Sequence, residues 1–139
     1  MTLEIARTDD LDSCLALRRT VFIEEQAVPE NLERDEHDAT ALHLLATLDG
    51  RPVGTARMLR KGDTGKIGRV CVLRELRGTG IGAALIQAAV EELRGLGLGR
   101  ARLGSQVHAI PFYEKLGFTA EGPVYDDAGI PHRDMVLAL

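Results

Sequence analysis

Residues Arg77-Gly78-Thr79-Gly80-Ile81-Gly82 set three glycines and an arginine directly ahead of a long apolar-periodic stretch. Glycine lets the backbone come close to a ligand because no Cβ stands in the way. A helix opening at such a bend points its unpaired N–H groups, and the positive end of its dipole, at the same spot. Those are the makings of a cradle for phosphate or pyrophosphate. The other groups with chemistry to offer are scattered: Glu25, Tyr113 and the histidines at 37, 43, 108 and 132. A carboxylate or imidazole can take a proton near neutral pH, and a phenol can give one up. No two histidines have close ligand spacing, so no metal site is expected.

Around the glycines the chain reads as alternating elements. Leu3 to Arg7 suits a first strand, and Thr8-Asp9-Asp10 offers capping side chains for a helix. Leu11, Leu15, Arg18 and Phe22, with Cys14 and Val21 beside them, give that helix an apolar stripe. Gln26 to Asp38 breaks the pattern with Pro29, Asn31 and a dense set of acids. Strands follow over Thr40–Leu48 and Pro52–Leu59, joined by the hairpin signal Asp49-Gly50. A second turn at residues 61–65 leads to a strand over Lys66–Val72, which completes an antiparallel meander ahead of the glycine bend. Gly80 to Arg94 reads as a helix through Ile81, Leu85, Ala88, Ala89 and Leu93, closed by Gly95 and Gly97. A strand at Arg100–Gly104, a short helix at Pro111–Leu116 and strands at Phe118–Tyr125 and Asp134–Leu139 finish the chain. The pattern is one mixed α+β domain over residues 1–139, without repeat or linker.

Gly78-x-Gly80-x-x-Ala83 also fits a dinucleotide-binding fingerprint. That motif belongs at the end of the first strand of a parallel βαβ series, with an acid about twenty residues on. Here a meander precedes it, and Arg100 and Arg102 stand where the acid is wanted. No Gly-Lys-Ser/Thr follows the glycines, which removes a nucleoside triphosphate loop. A plain strand-to-helix turn is the remaining alternative.

The 139 residues carry a net charge of −4, which argues against a nucleic-acid surface. Hydrophobic content of 45% and charged content of 27% are those of a soluble globular protein. Cys14 and Cys71 read as reduced, buried thiols. No apolar stretch is long enough for a bilayer and no leader pattern is present, so a cytoplasmic protein without membrane contact is expected.

Arg77-x-x-Gly80-x-Gly82 after a Val-Cys-Val strand resembles the acetyl-CoA pyrophosphate loop of the GNAT N-acetyltransferase superfamily. Downstream, Ala109-Ile-Pro-Phe112-Tyr113-Glu-Lys-Leu-Gly117-Phe118 resembles the superfamily's second signature, the helix beside the pantetheine arm. Val21-Phe22-x-x-Glu25-Gln26-x-Val28-Pro29 and Gly129-Ile130-Pro131-His132-x-x-Met135 look like its ElaA/YjcF-type branch. The resemblance covers essentially the whole chain. It implies a mostly antiparallel sheet of six or seven strands, a parallel and splayed fourth and fifth, and about four flanking helices. It also implies acetyl-CoA as co-substrate, no metal, and a homodimer as a family habit.

Residue by residue, the resemblance assigns the cofactor to Val70, Cys71, Val72, Arg77, Gly78, Thr79, Gly80, Ile81, Gly82, Gln106 and Phe112. Val70 and Val72 would pair with the pantetheine amides like an added strand. Gln106 stands where many members carry Asn. Tyr113 falls at the general acid's position, from which a phenol can give its proton to a departing thiolate. Glu25 and His132 are candidates for the base or for acceptor contacts. His37 reads as solvated, His43 as a core histidine and His108 as a helix cap. The acids from Glu30 to Asp38 are either a solvated loop or an attractor for a cationic amine. Two functions follow: an N-acetyltransferase working on a primary amine by direct transfer in a ternary complex, or a non-catalytic acetyl-CoA-binding regulatory module.

Overall fold

The computed structural model describes residues 2–33 and 35–139. Strand β1 (Leu3–Thr8) leads into helix α1 (Leu11–Arg18), whose first turn is capped by the Asp10 carboxylate accepting from Ser13 N at 3.1 Å. The helix widens into a π-helical turn over Arg19–Glu25, then α2 (Glu30–Glu33) and a 3₁₀ turn (Glu36–Ala39) follow. The meander is β2 (Leu42–Leu48), β3 (Arg51–Lys61) and β4 (Thr64–Val72). Helix α3 (Ile81–Gly95), β5 (Arg100–Gln106), the short helix α4 (Ile110–Glu114), β6 (Thr119–Asp127) and β7 (Ile130–Ala138) complete the chain. The seven strands form one sheet in the order β1-β2-β3-β4-β5-β7-β6, antiparallel except for β4 beside β5. No helix among the described residues is long and apolar enough to cross a membrane.

The sheet is covered on both faces at its centre, which is why residues 53–58 of β3 are buried without alternation. Ile81, Leu85, Ala89 and Leu93 recur every four residues on α3, all buried against the strands. Burying side chains of that size is worth about 1.5–3 kcal/mol each for the larger ones. The helix sits close because Gly54 and Gly65 leave room: a Cβ on Gly54 would lie 2.9 Å from Leu85, and one on Gly65 would run into Leu93.

Two features of β4 open the sheet. Its pairing with β5 stops at Ile67↔Leu103, and beyond that point the two strands diverge. On the other edge Arg57 pairs with Gly68 while Thr55 pairs with Cys71, so β4 carries an extra residue there. Arg69 occupies this bulge with φ of 51°, a left-handed conformation that bends the strand away from β5.

The segment from Gln26 to Asp38 differs from the expected irregular, solvated loop. Glu33 is 2% and Asp38 8% exposed, and both meet Arg18, which is fully buried on α1 rather than part of an apolar stripe. Arg18 donates from Nε to Glu33 at 2.5 Å and from Nη1 to Asp38 at 2.7 Å. Arg57 binds Asp35 at 2.7 Å and Asp38 at 3.0 Å. Arg69 reaches the carbonyls of Glu33 and Leu32 and the Asp35 carboxylate. These acids are consumed by internal cations, so they do not present a field to solvent. Burial alone would raise the Asp38 pKa, but bonds from Arg18 and Arg57 outweigh it and hold the carboxyl well below its ordinary value.

Two smaller differences concern the C-terminal half. Strand β7 begins at Ile130, ahead of the expected Asp134, and takes in Pro131. The missing N–H is harmless there, because the β5 ladder ends at Gln106↔His132 and Pro131 faces only Asp126 of β6. His108 does not act as a helix cap; its Nε2 lies 2.7 Å from Gln106 Oε1.

Candidate functional site

The divergence of β4 and β5 leaves a strand edge without a partner. Leu73 N donates to Val53 O at 3.0 Å, so the next residue back, Val72, turns its N–H and C=O away from β3 and toward the gap. Val70 falls within the bulge beside Arg69 and lines the cavity next to this edge. An extended chain carrying amides could add here as a strand. The Cys71 and Ile81 side chains are buried in the core, at 4% and 5% exposure, and by the same alternation Cys71 turns its peptide groups toward Thr55 of β3. Burial pushes the Cys71 thiol up to about 12, which removes it as a nucleophile near neutral pH.

Beyond Val72 the chain turns through Arg74–Leu76 and enters the glycine bend. Gly78 and Gly80 have φ of 81° and 89°, values that a side chain would resist. Helix α3 has no side-chain cap; its first internal bond is Ala84 N to Gly80 O at 3.0 Å. The N–H groups of Ile81, Gly82 and Ala83 are therefore free of helical partners and face the exposed bend. Thr79 is tied down by its hydroxyl, which donates to Leu76 O at 2.5 Å. A Cβ on Gly82 would lie 3.8 Å from Phe112 and 3.9 Å from Val72, so α4 closes over this point.

A cavity of about 310 Å³ lies beside that edge, and Val70, Gln106, Tyr113 and His132 all line it. Tyr113 packs edge-on between Phe112 (5.0 Å) and Phe118 (6.2 Å), and burial raises its phenol above the ordinary tyrosine value. It is thus a protonated donor at neutral pH. Gln106 bridges Gln26 at 3.5 Å and His108 at 2.7 Å. His132 Nδ1 lies 2.7 Å from the Ile130 carbonyl and must donate to it, so the neutral ring carries its lone pair on Nε2. His43 lies elsewhere, buried with Nε2 2.9 Å from Asp38 O, and His37 is exposed.

Glu25 is placed differently from the other candidates. Its carboxylate takes both Nη groups of Arg77, at 2.5 and 2.9 Å, while Arg77 Nε donates to Val72 O at 3.1 Å. Those bonds hold the Glu25 carboxyl below the usual glutamate range.

Sequence reasoning passed over Tyr125 and Arg69, which also line the cavity. Tyr125 stacks on His132 at 6.0 Å and 24°, and its hydroxyl donates to Asp134 at 2.9 Å. Burial and that carboxylate push its pKa up to about 12. The available signal was the two-residue turn Ala128-Gly129, which fixes Tyr125 opposite His132.

Comparison with known proteins agrees with this geometry. Residues 7–139 match the family model described as the acetyltransferase (GNAT) domain. The uncharacterized N-acetyltransferase YjcF of Bacillus subtilis is 33% identical over 95% of this chain and 96% of its own. The crystal structure of Escherichia coli ElaA superposes with a TM-score of 0.87 at 30% identity, covering 97% of this chain and 99% of that one. An acyl-CoA N-acyltransferase from Pseudomonas aeruginosa gives 0.88 at 31% identity, with the same coverage. By the family model over residues 7–139 and these likenesses, the chain belongs to the GNAT family of acetyltransferases.

Proposed function

We propose that the protein moves an acetyl group from acetyl-CoA to a primary amine by direct transfer in a ternary complex. The observation that carries this reading is the single cavity at the β4–β5 gap, which Tyr113 and His132 line together beside an unpaired strand edge. The site fits a CoA-type group: an unpaired amide edge suits its pantetheine arm, and the uncapped N-terminus of α3 behind two left-handed glycines suits its diphosphate. The P. aeruginosa relative, named for acyl-CoA, supports the same donor.

Acetyl-CoA supplies an activated carbonyl and a thiolate leaving group. The protein's residues do the rest. Val70 and Val72 hold the arm through main-chain bonds, and a backbone N–H at this edge can stabilise the charge that builds on the carbonyl oxygen. The attacking amine must be neutral, and Nε2 of His132 can accept its proton directly or through water. As the C–N bond forms and the C–S bond breaks, the thiolate takes the Tyr113 proton. The buried Cys71 thiol plays no covalent part.

The test is thiol release from acetyl-CoA across a panel of amines, comparing wild type with Tyr113→Phe. Turnover that drops by about 10²-fold or more in the variant, with CoA affinity retained, is expected for a lost general acid. Equal turnover would remove Tyr113 from the role. Binding of CoA without turnover on any amine would identify a binding module, and failure to bind CoA would overturn both readings.

A further inference from the structure

Arg77 offers a diphosphate no complete fork in its present position. A guanidinium has five N–H donors in two forks, one at its end and one at its side. Glu25 fills the end fork with paired bonds of 2.5 and 2.9 Å. The Nε of the side fork is engaged by the Val72 carbonyl at 3.1 Å. That carbonyl is itself one of the groups an added strand would use, because Val72 faces the gap. One side chain thus occupies both a strand-edge acceptor and its own phosphate-binding fork. Glu25 closes the pair from the end of the π-helical turn, next to Gln26, which lines the cavity.

We propose that the Arg77–Glu25 pair is a clasp that the co-substrate exchanges. The diphosphate takes the guanidinium, the pantetheine arm takes the Val72 carbonyl, and Glu25, beside the cavity-lining Gln26, keeps only the looser contact of 3.8 Å with the exposed Arg74. The carboxylate that a cationic acceptor needs is then exposed only after the acyl donor has bound. Glu25 is a positioning residue in the free protein and becomes an available anion in the loaded one. This inference rests on the acetyl-CoA reading.

Two measurements test it, both with CoA itself as the probe. In calorimetric titrations, Glu25→Gln should bind CoA about threefold more tightly than wild type, the scale of a partly exposed ion pair that no longer has to be broken. The gain should vanish in an Arg77→Ala background, where there is no clasp to open. A carboxylate that merely repelled the diphosphate would give the same gain in both backgrounds and would overturn the proposal, as would unchanged or weakened binding. The second measurement is a ¹³C carboxyl NMR titration of Glu25 in wild type. Its midpoint should rise toward the ordinary glutamate range when CoA saturates the protein; a midpoint that does not move with CoA bound shows that Arg77 never let go. Absence of CoA binding by wild type would instead count against the acetyl-CoA reading itself.

Discussion

Replacing Asp38 by Asn keeps the side chain's shape and removes one negative charge from a buried set of three arginines and three acids. Asp38 accepts from Arg18 Nη1 at 2.7 Å, from Arg18 Nη2 at 3.1 Å and from Arg57 at 3.0 Å. Breaking one side of a buried ion pair costs about 3–5 kcal/mol, because the partner charge is left uncompensated. Arg18 would keep Glu33 at 2.5 Å and Arg57 would keep Asp35 at 2.7 Å, which places the expected loss at the lower end, about 3 kcal/mol. In urea denaturation that corresponds to a midpoint lower by roughly 1.5–2 M for a chain of this size. The pH dependence separates this cause from a simple packing defect. The Asp38 carboxyl is depressed in the folded protein, so its contribution is present above the unfolded value near 3.9 and is lost as pH falls toward the folded one. The gap between wild type and variant should therefore narrow below about pH 4. A midpoint shift under about 0.5 M at pH 7, or a gap that stays constant with pH, would refute the reasoning.

Three further outcomes are expected. Absorbance titration of the two tyrosines should show little tyrosinate at pH 10, since both phenols are raised in the folded state, Tyr125 to about 12. Their stabilising contribution is intact below about pH 10, the unfolded value, and is lost as pH rises toward the folded ones. Gly80→Ala should cost about 1–2 kcal/mol in chemical denaturation, because its φ of 89° forces a Cβ into a left-handed turn, and should weaken CoA binding as the bend relaxes. Alkylation of Cys71 by iodoacetamide at pH 8 should be slow in the native protein and fast in urea, and rapid-quench mass spectrometry should find no acetylated cysteine during turnover.

The sequence was most legible where local chemistry decides the outcome. Asp49-Gly50 closes the first hairpin with φ of 51° and 83°, and the stripe on α3 follows from periodicity alone. The glycine bend and Tyr113 were legible for the same reason, being contiguous motifs. The charged cluster was not, because Arg18 meets partners 15 and 20 residues away, and isolated acids in a Pro-containing stretch look solvated. The start of β7 at Ile130 was not legible either, because the harmlessness of Pro131 depends on where the neighbouring strand stops. The clasp between Glu25 and Arg77 spans 52 residues and has no local signature at all.

The bulge at Arg69 links two parts of the protein that would otherwise be free to diverge. Its backbone sets the bend in β4, while its side chain ties down Leu32 and Glu33 on the wall of the cavity and Asp35 behind them. A change at this wall that displaces the Leu32 and Glu33 carbonyls would therefore disturb the bend in β4 as well. Phe22 and Val28 line the cavity without holding the bulge, whereas Leu32 and Glu33 line it and also hold the bulge through their carbonyls. Engineering a different acceptor preference into this scaffold should accordingly begin at the first set and leave the second alone.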